Sequence, residues 1–211
     1  MKSARKYAQV VEPKVKATIF GHGRGWVFTP RDFSSIGNPR SVSMALTRLA
    51  RKGIIRQLTR GLHDYPKNDP EIGILSPSID AVERALSFRH GIRLQPSGGY
   101  AANLLGLSDQ VPMKVVFLTD GVNRRIQIGK LQIILKRTSP GNMAAAGKTS
   151  GLVIQALRHL GQRHIDDRII QRLQQRLSTK DKKRLLTDLR HAPAWVAAAM
   201  RKIAESPASR L

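Results

Sequence analysis

WVFTPRDFSSIGNPRSVSMALTRLARKGIIRQLTRGLHDYP, residues 26–66, is the stretch from which the fold can be read. Asn38 followed by Pro39 is a helix start, because an Asn side chain satisfies an orphan amide and proline fits the first helical position. Arg51-Lys52-Gly53 is a stop, with basic side chains over the last carbonyls and a glycine for the residue beyond. A helix over about 39–52 places Val42, Ala45, Leu46 and Leu49 on one stripe with i, i+3, i+4, i+7 spacing. Arg40, Met44, Thr47 and Arg51 fall opposite, flanked by Ser41, Ser43 and Arg48. That outer face offers guanidinium, hydroxyl and thioether groups and no carboxylate, which suits a negatively charged partner.

Outward from this helix the pattern continues on both sides. Downstream, Ile54, Ile55 and Leu58 resume an apolar segment, Thr59-Arg60-Gly61 makes a turn, and Leu62 to Tyr65 returns as the second arm of a short hairpin. Upstream, Thr29 caps a brief helix begun by Pro30, and Phe33 and Ile36 supply apolar contacts before the Gly37-Asn38 turn. Further back, Tyr7, Val10, Val11, Val15, Ile19 and Phe20 predict a first helix, either kinked at Pro13 or starting there, and Gly21, Gly23 and Gly25 end it. Helix, turn, helix and wing together make a winged helix-turn-helix module, whose second helix lies in the DNA major groove. On that reading Arg40, Ser41, Ser43, Met44 and Thr47 meet base edges, while Arg48, Arg51, Lys52, Arg56 and Arg60 hold phosphates.

These motifs also carry a resemblance. GRGWVFTPRDF, the NPRSVSMALTRLARKGIIR helix and the TRGLHDYP wing look like the N-terminal winged domain of AbiEi-type antitoxins and their relatives, from bacterial type IV toxin-antitoxin systems. SPSIDAVERAL, QPSGGYAANLLGLS, KVVFLTDG and LKRTSPGNMA resemble the second half of the same group, so the likeness covers about residues 24–160. It implies a double-stranded DNA partner at the protein's own promoter, inverted repeats as the operator, and autorepression. It also implies a C-terminal domain that counters a nucleotidyltransferase-like toxin, and a bacterial host. The C-terminal helical part here is shorter and more basic than in a full antitoxin of that type.

Composition points independently to a polyanion. The formal net charge is +23 over 211 residues, and both halves share it: residues 1–66 carry 13 Lys and Arg against 3 acids, and residues 67–211 carry 24 against 11. Phosphate neutralisation by such a chain makes binding strongly salt-dependent. An RNA- or ribosome-associated protein has the same charge to support it, but aromatic content is 5% and no aromatic motif of the RNA-recognition type occurs. No apolar run approaches transmembrane length, and the basic helices lack an aromatic-rich apolar face, which argues against a membrane partner. Cysteine is absent, so no disulfide forms, and with no secretory signal at the N-terminus the expected location is the cytoplasm.

Beyond Pro66, the segment 67–71 reads as a linker, and Ser78 as the cap of a helix from Ile79 to His90 that places Ile79, Val82 and Leu86 on one side and stops at Gly91. Ile92 to Leu94 reads as a short strand, Gly99 to Leu105 as a small helix, and Val115 to Leu118 as a buried strand. Ile126, Ile128, Leu131, Ile133 and Leu135 alternate around Gly129-Lys130, a hairpin. After Pro140 three successive helices and a last one restarting at Pro193 are expected. The class is therefore α+β: a winged helix-turn-helix over 1–66, a small mixed or antiparallel sheet with helices over 72–140, and a helical region over 150–205 packed on it. Arg168, Arg172 and Arg176, four residues apart on one helix, are either a solvated face or a second basic surface.

Enzyme signals do not assemble. Gly141 to Thr149 resembles a phosphate-binding loop, yet five residues separate Gly141 from Gly147 where that loop has four. The glycines from Gly21 to Gly25 follow no strand and read as a turn rather than a dinucleotide fingerprint. The histidines have no zinc-motif spacing. Asp166-Asp167 reads as helix N-terminal charge, and Asp120 as a turn residue before Gly121. The expectation is a non-enzymatic, cofactor-free and metal-free DNA-binding autoregulator and antitoxin. The alternatives are an interaction module that inhibits a nucleotidyltransferase-like toxin, with only nonspecific nucleic-acid binding, and a nucleic-acid enzyme with an unrecognised site. Oligomeric state is open.

Overall fold

The computed structural model describes residues 2–110 and 112–205, and for residues 2–10 only the backbone. By packing the chain divides into two compact units, Met1–Gly91 and Ile92–Leu211.

In the first unit, helix α1, Lys2–His22, runs on either side of Pro13 rather than starting there. Val11, Val15 and Ile19 are buried, whereas Phe20 is 45% exposed, and the side chains of Tyr7 and Val10 fall outside the description. A short β1, Val27–Phe28, leads into a 3-10 turn, Pro30–Phe33. The Asp32 carboxylate fastens the start of that turn by accepting from both the amide and the hydroxyl of Thr29, at 2.7 and 2.8 Å. Helix α2, Pro39–Arg51, begins where Asn38 accepts from the Ser41 amide at 2.9 Å. It ends before Gly53, whose φ of 68° is the left-handed conformation that glycine adopts without strain. Val42, Ala45, Leu46 and Leu49 are all buried, in one core with Val15, Ile19, Phe28 and Phe33.

The wing consists of β2, Arg56–Thr59, and β3, Leu62–Asp64, antiparallel across the Arg60-Gly61 turn. β1 pairs with the other side of β3, giving the order β1-β3-β2. Two residues are too few to show alternation, which is why β1 is not legible in the sequence. The expected linker is instead a ribbon: β4, Asn68–Asp69, pairs with β5, Gly73–Ile74. Asp69 accepts from the amides of Glu71 and Ile72, and Pro70 sits at the second turn position, so the turn is built by its own side chains. Helix α3, Ile79–His90, has the predicted cap and stop, but it packs on β1 and closes the first unit. The unit boundary thus falls at Gly91 and not in the segment 67–71.

The second unit opens with β6, Leu94–Ser97, and α4, Gly98–Leu104. The strand lies further along the chain than Ile92 to Leu94 because Arg93 is held outside the ladder: Asp120 accepts from its amide and its guanidinium at 2.9 and 2.8 Å. Then come β7, Lys114–Thr119, β8, Arg124–Ile128, and β9, Leu131–Arg137, in the sheet order β6-β7-β9-β8. β8 and β9 form the hairpin predicted at Gly129-Lys130. β7 and β9 pair in parallel, and β6 and β7 antiparallel, so the sheet is mixed. Among the described residues five α-helices follow: α5, Pro140–Met143; α6, Thr149–Leu160; α7, Asp167–Arg176; α8, Thr179–Thr187; and α9, Ala194–Ala204. Val153, Leu157, Leu173, Leu185 and Met200, from α6 to α9, share one core with Ala101 of α4 and with Leu105 just after it. The fold is α+β, and among the described residues no helix is long and apolar enough to cross a membrane.

The start of α6 is the tightest point of this unit. A Cβ on Gly151 would stand 2.2 Å from the Ala145 carbonyl oxygen and 2.6 Å from Gln95 Oε1. Backbone cannot retreat as a side-chain tip can, so Gly151→Ala is expected to destabilise the protein by about 1–3 kcal/mol, read as a lower midpoint in urea unfolding. Gly141→Ala, with open space around the new methyl, serves as the control.

Candidate nucleic-acid interface

The outer face of α2 stands as the sequence placed it. Arg40, Ser43, Met44, Thr47 and Arg51 are exposed, and Met44 retains 44% exposure. Among the described residues, the side chains of Arg40, Met44, Arg51 and Arg60 make no hydrogen bond or ion pair. The hydroxyls of Ser41 and Thr47 donate to the carbonyls of Asn38 and Ser43, at 3.0 and 2.9 Å, and keep their lone pairs as acceptors.

The other basic residues of this face are engaged within the unit. Glu12 of α1 accepts from Lys52 and, at 3.4 Å, from Arg48, tying the C-terminal turn of α2 to α1. The hydrogen bond from Lys52 is the main cause that holds the Glu12 carboxyl below its ordinary range, against the opposing effect of burial. Arg56, expected at a phosphate, instead donates through Nε and Nη2 to both oxygens of Asp64, at 3.1 and 2.6 Å, and to the Leu75 carbonyl at 2.9 Å. The reason is desolvation: Asp64 is 1% exposed, and a buried carboxylate requires a cation with matching geometry.

The acids of residues 1–66 are therefore all turned inward. Asp32 fastens Thr29, Asp64 holds Arg56, and Glu12 holds Arg48 and Lys52. Sequence reasoning did not single out Glu12 or Asp64. The available signal was scarcity, since three carboxylates among so many cations are kept only where a fold needs them.

Two arginines that the sequence did not single out fasten this region, one bracing the wing and the other the end of α3. Arg89, in the last turn of α3, donates to the carbonyls of Arg60 and Gly61 at 3.0 and 3.2 Å. Arg31 lies over the Phe88 ring at 5.7 Å and donates to the carbonyls of Phe88 and Arg89. The wing turn that carries Arg60 is thus fixed from beneath. Beside it, His63 stacks on Phe28 with centroids 6.0 Å apart, and burial pushes its imidazole below the ordinary range.

In the second unit Arg168, Arg172 and Arg176 are exposed along α7. The Arg176 guanidinium lies over Gly106, 2.6 Å from where a Cβ there would stand, so it covers the end of α4. The loop that mimics a phosphate cradle is occupied by internal contacts. Residues 140–143 are helical, Lys148 reaches Asp188 at 3.1 Å, and Thr149 donates to Asp181 at 2.7 Å. Burial alone would raise Asp188, but hydrogen bonds from Ser150 and Lys148 outweigh it and hold the carboxyl low. Asp166 caps α7 by accepting from the Ile169 amide at 3.0 Å. Among the described residues no group of three or more His, Asp or Glu is arranged to hold a metal ion.

The molecule is thus an α+β protein that presents a winged helix-turn-helix with a carboxylate-free outer helix face. The chain belongs to a family of unknown function, DUF6088, whose model matches residues 14–185 and so takes in both units. The crystal structure of RV2827C protein from Mycobacterium tuberculosis is similar at 17% identity and a TM-score of 0.44, over 96% of this chain and 78% of that one. No curated protein matches the chain.

Two measurements follow from the inward-facing acids. Arg56→Ala is expected to cost about 3 kcal/mol in urea unfolding, because Asp64 is left buried and unpaired, and an Arg56→Met/Asp64→Leu pair should recover most of the loss. Glu12 has a folded-state pKa below its unfolded value of 4.5, so its contribution is complete above that pH and is lost as pH falls through the folded value. Thermal midpoints measured from pH 6 to pH 3 should therefore fall less steeply in Glu12→Gln than in the unaltered protein.

Proposed function

We propose that this protein is a sequence-specific DNA-binding autoregulator that reads its own promoter through the outer face of α2. The observation that carries the reading is the division of α2 itself, with an apolar stripe sunk in the core and Arg40, Met44 and Arg51 projecting without a partner among the described residues. A solvated helix face of ordinary composition mixes acids with bases, and this one has only bases, hydroxyls and a thioether. Arg40, Ser41, Ser43, Met44 and Thr47 are the base-reading set, with arginine to guanine the commonest such contact. Arg51 and Arg60 hold phosphates, Arg60 from a wing turn braced by Arg89. Arg48, Lys52 and Arg56 act mainly through Glu12 and Asp64 and orient the module.

The resemblance to AbiEi-type antitoxins, which runs from the winged module into the second unit, supports a place in a type IV toxin-antitoxin system of the bacterial cytoplasm. On that reading the second unit counters a nucleotidyltransferase-like toxin, and neither unit is catalytic. Co-expression with the product of a neighbouring nucleotidyltransferase gene should relieve its growth arrest; arrest that persists removes the antitoxin half of the reading and leaves the autoregulator.

The test of the DNA reading is a gel-shift titration comparing DNA from immediately upstream of this gene with a random duplex of equal length. Upstream DNA should bind more tightly. Arg40→Ala should cost about 1–3 kcal/mol on that DNA and relax preference at one or two base pairs, whereas Arg60→Ala should weaken both duplexes alike and lower the salt slope by about one. Equal binding to both duplexes would end the reading.

A further inference from the structure

The second unit contains a groove of about 240 Å³ between α7 and α9, lined also by the segment that enters α7. Its apolar walls are Ile165, Ile170, Ala198, Ala199 and the half-buried indole of Trp195. Gln162, Asp167 and Lys202 also line it. None of these three side chains makes a hydrogen bond or ion pair among the described residues. The carbonyl of Lys202 accepts from Gln174, which anchors its backbone and leaves the ammonium out of that contact.

We propose that this groove takes one unstacked nucleobase of a single-stranded nucleic acid. A half-exposed indole is a stacking platform for any base, because every base has a π-face. The two alanines beside it leave the space that a flat ring fills. Gln162 offers both a donor and an acceptor, and Asp167 accepts from an exocyclic amine, so together they suit a base edge. Lys202 supplies the cation for the adjoining phosphate, and exposed Arg163, Arg168 and Arg201 next to lining residues extend the positive rim. The volume is below the range usual for drug-sized ligands and fits a single ring system rather than an extended molecule.

The rival occupant is an apolar side chain of a protein partner. It would use the indole and alanines but would bury Gln162, Asp167 and Lys202 without partners, a penalty that a base with its phosphate avoids. The charge of residues 67–211, 24 bases against 11 acids, favours the nucleic acid. This site is independent of the duplex-reading face of α2, and either assignment can fail without the other.

The test uses the full chain and fluorescence anisotropy with labelled twelve-nucleotide single strands, one DNA and one RNA, beside a labelled duplex. Ala198→Leu fills the groove from an exposed position and should keep the fold intact; single-strand affinity should fall about tenfold with duplex affinity unchanged. Lys202→Ala should weaken single strands more than a control at another exposed lysine, Lys180→Ala. The indole N–H resonance of Trp195 should shift on adding the single strand and stay fixed in Ala198→Leu. The DNA and RNA arms decide which strand is the ligand. A single-strand affinity indifferent to Ala198→Leu, or a Trp195 resonance that does not move, overturns the assignment and leaves the protein side chain as the occupant.

Discussion

The burial of Val42, Ala45, Leu46 and Leu49 against α1 and the 3-10 turn is the constraint on which the first unit depends. A helix of 13 residues has little stability in water alone, so α2 exists because its apolar stripe is covered. Covering that stripe also fixes the rotation of the helix about its axis. Arg40, Met44 and Arg51 then have nowhere to go but outward. Losing one of the stripe's leucines would cost core packing and would also release the orientation that gives the outer face its meaning.

Electrostatics completes what packing begins. A chain with so few acids could have scattered them as surface counterions. Instead Asp32, Asp64 and Glu12 serve a turn, a half-buried arginine and a helix-to-helix tie. Each inward carboxylate removes a local negative charge from the surface and uses a cation to orient an element. Of the remaining cations, Arg40 and Arg51 stand on the outer face of α2 and Arg60 at the wing turn. The internal pairs and the positive surface are thus two results of one allocation.

The second unit follows a similar economy around the start of α6. Asp188 is buried and held by Ser150 and Lys148, while Asp181 receives Thr149, so α8 is fastened to the first turn of α6 from both its ends. Gly151 lets the Ala145 backbone come close beneath that turn. A sequence that superficially matches a nucleotide cradle is therefore an internal joint. In the same unit the side chains of Gln162, Asp167 and Lys202 make no hydrogen bond or ion pair among the described residues, and they line one groove with Trp195.

Local signals determined much of this protein by themselves. Asn38-Pro39 and Gly53 bounded α2, Ser78 and Gly91 bounded α3, and the alternation about Gly129-Lys130 defined the β8–β9 hairpin, because caps, stops and periodicity act over a few residues. The exposed members of the candidate DNA-facing set were legible for the same reason, since a helix's two faces are fixed by spacing. Only the tertiary structure decided the pairing of β1 with β3, the parallel register of β7 with β9, and the placement of α3 in the first unit. It alone turned Arg56 toward Asp64, drew Arg48 and Lys52 to Glu12, and set Arg89 under the wing. These are contacts between residues from 8 to 40 positions apart, and no local propensity encodes which cation a distant buried carboxylate will claim; that choice is made by desolvation once the core has closed.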